Sequence, residues 1–210
     1  MKIGIIGSGN IGATAAKLFV NAGHEVAIGN SRGPESLTSV VNSIGTNVKA
    51  KTVEDTIKFG EVILLAIPWR KRQELLPASE LFDGKIVIDA MNPYSENFEL
   101  IDLGNSNSSE EVLKQIPSSR LVKAFNTIYY EHLSTKGNPN APKEDRIAIF
   151  VAGDDFDAKA IVSKLIEDIG FASVDTGSLR DGGRKQQPDS PIYNNPMTAK
   201  VAYARLTEIA

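Results

Sequence analysis

Six residues near the start of the chain, Gly7-Ser8-Gly9-Asn10-Ile11-Gly12, constrain its fold more than any others. They follow the apolar run at residues 2–6 and open a stretch in which Ile11, Ala15, Leu18 and Ala22 fall on one helical face. Glycines spaced G-x-G-x-x-G between a strand and a helix do three separate jobs. Gly7 permits a tight turn, Gly9 lets a pyrophosphate approach the backbone, and Gly12 lets the helix pack closely on the strand. Free N–H groups and partial positive charge at the helix start complete an anion site. The six residues therefore predict a dinucleotide-binding βαβ unit.

The alternation of strand and helix patterns continues almost to the end. Apolar β runs stand at residues 25–28, 48–50, 61–67, 85–89, 120–124, 146–152 and 172–175. Pro34 suits the first turn of a helix ending near Ser43, and Thr52 caps one through Lys58. Residues 155–169 form an amphipathic helix with Ala158, Ile161, Val162, Leu165 and Ile169 inward. The expected class is α/β: a Rossmann-type, doubly wound, mostly parallel sheet with helices on both faces. Residues 91–109, rich in Asn and Ser, and 135–145, rich in Pro and Asn, read as long surface loops. The rhythm fails again over 180–196 before a last helix at 198–208. The predicted division is a Rossmann-like cofactor-binding domain at 1–179 with a short helical C-terminal extension, 180–210, packing on it.

The end of the second strand discriminates between cofactors. An NAD enzyme carries an acid there, about 20 residues past the glycines, to hold the ribose 2′-hydroxyl. Here Val26-Ala27-Ile28-Gly29 runs into Asn30-Ser31-Arg32 with no acid. Ser31 can donate to a 2′-phosphate and Arg32 can add a charge-assisted fork, so the expected cofactor is NADP(H). Two further strand ends, Ala66-Ile67-Pro68-Trp69 and Asp89-Ala90-Met91-Asn92-Pro93, lie where such sheets bind their ligands. Pro68 presents backbone near the ribose. Trp69 either packs under the next helix or touches the ligand.

Composition removes other classes. A net charge of -3 opposes nucleic acid as the main partner, and Arg70-Lys71-Arg72 reads as a solvated helix face. The absence of cysteine excludes disulfides, a thiol nucleophile and Cys-ligated zinc. His24 and His132 lack the i, i+4 partner of a zinc helix, so no metal is expected. The apolar stretch 62–67 is too short to span a membrane, and Met1-Lys2 leads directly into a Gly-rich strand and turn, so no signal peptide is expected. The expectation is a cytoplasmic homodimer acting on a small-molecule redox acceptor.

The motifs taken together resemble a known family. Gly7-Ser8-Gly9-Asn10-Ile11-Gly12, Asn30-Ser31-Arg32, Ala66-Ile67-Pro68-Trp69, Lys123-Ala124-Phe125-Asn126-Thr127 and Val151-Ala152-Gly153-Asp154-Asp155 are similar, in this order, to reductases that use the deazaflavin coenzyme F-420 with NADP. They also resemble the cytoplasmic domain of the STEAP metalloreductases. The likeness runs to about Leu179. It implies Ser8, Asn10, Ile11, Ser31, Arg32, Ile67, Pro68, Asn92 and Ala124 around NADP, and hydride transfer to a flat ring. The deazaflavin enzymes carry histidine where this chain has Asn126, and there it is nearer the metalloreductase branch.

The expected function is thus hydride transfer between NADP(H) and a flavin or deazaflavin, with Asn92, Ala124 and Asn126 beside the ring. The alternatives are a non-catalytic NADPH sensor and a dehydrogenase of a small carbonyl or imine. Such a step needs orientation more than acid–base groups, because the cofactors carry the chemistry. Asn126 either reads the ring edge or ties down its own loop. Tyr129 and Tyr130 either supply a stacking face or a proton, or they pack. His132 reads as a surface helix histidine, and Asp154-Asp155 as a helix cap. Gly182-Gly183 with Arg184 and Lys185 reads as an anion-binding lid or a mobile connector.

Overall fold

A run such as Val62–Leu65, buried at every residue, fits only a sheet covered on both faces. The computed structural model, which describes residues 1–208, places it so. Its strands are β1 (Lys2–Ile6), β2 (Glu25–Gly29), β3 (Val48–Lys51), β4 (Val62–Leu65), β5 (Ile86–Asp89), β6 (Arg120–Ala124), β7 (Ala148–Ala152) and β8 (Ala172–Gly177). They form one sheet in the order β3-β2-β1-β4-β5-β6-β7-β8. Strands β1 to β6 are parallel in the Rossmann order. β7 runs antiparallel to β6, through Lys123↔Ala152 and Ala124↔Val151, and β8 is parallel to β7. The sheet is mostly parallel, as the alternation predicts, with a reversed edge pair that alternation does not encode.

Successive residues of the central strands feed opposite cores. Ile3, Ile5, Val62 and Leu64 join one apolar cluster, and Ile6, Ile63 and Leu65 the other. Helix α1 (Asn10–Asn21) buries Gly12, Ala15, Ala16 and Phe19, while Ile11, Leu18 and Ala22 are only partly buried at its flanks. The true stripe is rotated slightly from the aliphatic pattern, because small residues let the helix axis lie close to the sheet and push bulkier ones aside.

Helix α2 (Thr38–Ile44) follows a 3-10 turn at Pro34–Leu37. Helix α3 (Val53–Phe59) starts where the Thr52 side chain accepts from the Asp55 N–H, as its sequence predicts. A 3-10 run at Trp69–Phe82, carrying Pro77, links β4 to β5. Helix α4 (Ser108–Leu113) has a full capping box from Asn107 and Glu110, so residues 91–109 end in structure rather than in open loop. Helices α5 (Tyr130–Thr135) and α6 (Phe156–Asp168) follow. Of the two aspartates before α6, Asp155 caps it by accepting from the Ala158 N–H and also holds Arg120 at 2.6 and 2.9 Å. Asp154 instead accepts from the Leu179 N–H at 3.0 Å.

The C-terminal extension corrects a sequence reading. Gly182 and Gly183 are buried in helix α7 (Asp181–Lys185), neither a lid nor a mobile connector. A Cβ at Gly182 would come within 2.8 Å of the Thr176 backbone, and one at Gly183 within 3.1 Å of the Asn107 side chain. Gly182 allows close packing on β8, and Gly183 on Asn107 at the start of α4. Helix α8 (Ala199–Glu208) contributes Ala199 and Ala202 to a third cluster with Phe150, Val174, Ile192 and Met197. Residues 209 and 210, at the end of the extension, lie outside the described residues.

Candidate functional site

The glycine loop sits between the carboxyl ends of β1 and β4, where strand order reverses and open α/β sheets bind ligands. Gly7 has φ +112° and a Cβ there would lie 2.2 Å from the Ala66 carbonyl oxygen; at Gly12 it would lie 2.0 Å from that of Gly7. Both positions are closed to any side chain. A Cβ at Gly9 meets nothing within 4 Å, so this residue presents bare backbone to open space.

That space is a trough in two connected halves. One, of about 390 Å³, is bounded by Gly7, Ser8, Gly9, the Asn30-Ser31-Arg32 turn, Ala66, Ile67 and Pro68, together with Val53, Lys71, Glu74 and Leu75. The other, of about 430 Å³, shares Gly9, Ala66, Ile67 and Pro68 and adds Asn10, Ile11, Trp69, Arg70, Asn92, Tyr94, Phe98 and Tyr193. Of the predicted site residues, Gly7 to Ile11, Asn30 to Arg32, Ile67 to Trp69 and Asn92 are brought together here. Gly12, Pro93, Ala124 and Asn126 line neither half.

The first half is ordered by Asn30. Its Nδ2 donates to Ser8 Oγ at 3.1 Å, and its Oδ1 accepts from the Arg32 N–H at 2.9 Å and Ser36 Oγ at 3.1 Å. This fixes the turn that presents the exposed side chains of Ser31 and Arg32. Lys71 reaches the same place from the 3-10 run, its Nζ 3.4 Å from Ser31 Oγ and 3.3 Å from a Glu74 carboxylate oxygen. Its triplet, read from sequence as a solvated face, puts Lys71 into the first half of the trough and Arg70 on the lining of the second. The usable signal is its place, two residues past the Pro68-Trp69 strand end.

Trp69 resolves toward packing. It is 3% exposed within a core cluster, with the Arg72 guanidinium 4.1 Å above its ring, and only its edge reaches the trough. Asn126 ties down its loop. Its Nδ2 donates to Asn92 Oδ1 at 3.1 Å and to the Gln186 carbonyl at 2.7 Å, while Asn92 Nδ2 donates back to the Asn126 carbonyl at 2.9 Å. The buried Phe125 before it takes φ +65°, a left-handed conformation costly for an aromatic residue. That turn directs Asn126 beneath Asn92 and keeps Ala124 fully buried.

Sequence reasoning missed the second half's polar group. Tyr193 Oη lies 3.4 Å from Asn92 Nδ2 and 3.4 Å from Tyr94 Oη. Burial, with Tyr94 beside it, pushes the Tyr193 pKa up, so the hydroxyl keeps its proton. Below Asn92 lies a buried ion pair, Lys123 Nζ to Asp89 Oδ2 at 3.0 Å. Among the described residues no cluster of three or more His, Cys, Asp or Glu is placed to hold a metal, and no helix is long and apolar enough to cross a membrane.

Known proteins resemble this chain in sequence and in fold. Residues 2–93 match the family model for NADP oxidoreductase, coenzyme F420-dependent. Rat metalloreductase STEAP3 is 29% identical over 178 residues, covering 85% of this chain. The chain spans only 34% of that relative's length. A hypothetical protein from Sinorhizobium meliloti, SMa0349, superposes with a TM-score of 0.84 at 33% identity, covering 94% of this chain and 95% of its own. A protein from Arthrobacter sp. FB24, proposed to be an F420-dependent NADP-reductase, superposes with a TM-score of 0.74 at 26% identity over 85% of this chain and 86% of its own.

Proposed function

We propose that this chain, whose residues 2–93 match the model of the coenzyme F420-dependent NADP oxidoreductases, transfers a hydride between NADP(H) and a flavin or deazaflavin ring. The observation that carries this reading is the two-part trough, with bare backbone at Gly9 between its halves and an acid-free, cationic turn at one end. The residues fit the cofactor. Gly9 leaves the room a pyrophosphate needs, the free N–H groups of α1 meet its charge, and Ser31, Arg32 and Lys71 converge where a 2′-phosphate would lie. Residues 1–179 would hold the cofactor, and the 180–210 extension would add Tyr193 to the acceptor side.

NADPH supplies the hydride when bound. The protein's own part is to hold and orient two ring systems and to exclude water. Ile67, Pro68 and the Trp69 edge form an apolar wall against which one ring face can rest. Asn92, fixed by Asn126, and the protonated Tyr193 hydroxyl offer hydrogen bonds to a ring edge. The test is NADPH oxidation with riboflavin, FMN, FAD and the deazaflavin coenzyme. At least one should be reduced at a rate that rises with enzyme concentration. If none is, the chain is an NADPH-binding sensor rather than a reductase. We also propose a cytoplasmic homodimer, checked by fractionation and by sedimentation.

Cofactor choice has a separate test. Losing the Arg32 bond to a 2′-phosphate costs about 1.5–3 kcal/mol, or roughly tenfold to a hundredfold in affinity. Arg32→Ala should weaken NADPH by that amount and leave NADH nearly unchanged in calorimetry. Equal losses for both cofactors would remove the 2′-phosphate from this turn.

A further inference from the structure

We propose that Phe98 is the platform on which the acceptor ring stacks, and that with Tyr94 and Tyr193 it selects a planar conjugated acceptor. This rests on the reductase reading above and specifies how the acceptor is recognised. Phe98 is 84% exposed and has φ +59°. An exposed phenylalanine gains nothing from burial, and an aromatic residue in the left-handed region is strained. Such strain persists only where the surroundings impose it, and it gathers at ligand sites.

The surroundings here are a fully bonded turn. Tyr94 and Leu100 form an antiparallel bridge. The Ser95 N–H donates to the Glu99 carbonyl at 2.8 Å, and the Phe98 N–H donates to that of Ser95 at 3.2 Å. Ser95 Oγ accepts from the N–H groups of Asn97 and Glu99. An ion pair at 3.6 Å, Arg70 to Glu96, ties the turn to the segment that follows β4. The turn therefore holds an aromatic face at the rim of the half-trough that Asn92, Tyr94 and Tyr193 line.

An aromatic face combined with a row of hydroxyl and amide groups matches a flat heteroaromatic ring with a polar edge. A small carbonyl or imine would use the hydroxyls but would leave the Phe98 face uncovered. Offset stacking and burial of the ring make Phe98 the larger contributor to acceptor affinity.

The test is binding of riboflavin and of the deazaflavin coenzyme to NADP⁺-loaded protein, followed by ligand fluorescence, alongside steady-state reduction by NADPH. Phe98→Ala should weaken ring binding and raise its KM about tenfold or more. Phe98→Tyr should restore both, and NADP⁺ affinity should stay within about threefold in each variant. Ring affinity unchanged in Phe98→Ala, or a matching loss of NADP⁺ affinity, overturns the assignment while leaving the reductase reading intact. Ring binding that depends on Phe98 without turnover keeps the platform and removes the reductase reading. A wild-type protein that binds neither ring overturns both.

Discussion

A valine at position 9 is expected to leave a folded protein that no longer takes up NADPH. Gly9 has φ -74° and ψ -171°, extended backbone that valine adopts without strain. No heavy atom lies within 4 Å of the added Cβ, so the fold has nothing to move. The branched side chain would instead stand in the trough itself, where its two halves share Gly9. A pyrophosphate cannot then reach the backbone N–H groups of α1. Affinity should fall by ~4 kcal/mol or more, about a thousandfold, with a melting temperature within about 2 °C of wild type. Gly7 and Gly12 cannot make this separation. Their Cβ atoms would strike backbone oxygens at 2.2 and 2.0 Å, so fold and binding would fail together. Calorimetry on a Gly9→Val protein of unchanged melting temperature decides the matter, and retained NADPH binding would place the nucleotide elsewhere.

The half of the site built on this loop was legible because glycine spacing is a backbone constraint, and the sequence carries backbone constraints openly. The Asn30-Ser31-Arg32 turn was legible for the same reason, since it follows a strand at a fixed distance. What the sequence hides is everything set by a distant return of the chain. Lys71 enters the trough only because the 3-10 run after β4 folds back beside the β2 turn. Tyr193 arrives from beyond β8, anchored by Gly182, Gly183 and Asn107, and nothing local to it points to Asn92. Strand alternation likewise marks β7 and β8 without giving their direction, because a buried parallel and a buried antiparallel strand read alike. The α1 face was misjudged by a fraction of a turn because alanine and glycine, weak signals of apolarity, are the residues that permit closest approach.

Replacing Lys123 by methionine is expected to destabilise the protein by about 3–5 kcal/mol, the usual cost of stranding one member of a buried ion pair. The Lys123 and Asp89 side chains are 1% and 0% exposed. Burial pushes the Lys123 pKa down, and Asp89 opposes that shift. Lys123 Nζ also donates to the Met91 carbonyl at 2.5 Å and to Ser108 Oγ at 3.0 Å. Asp89 accepts from Ser109 Oγ at 2.6 Å and from the Met91 N–H at 2.9 Å. The pair therefore clamps both backbone groups of Met91 and, through it, the loop that presents Asn92. In Lys123→Met the carboxyl group of Asp89 keeps two donors but loses its counter-charge, so a buried group is left without the partner that offset its desolvation. Asp89→Leu combined with Lys123→Met removes both charges and should recover most of the loss. Urea unfolding of the single and double variants measures this. A loss below ~1 kcal/mol in Lys123→Met would mean that the ion pair contributes little, and that the Met91 loop is held by its other bonds.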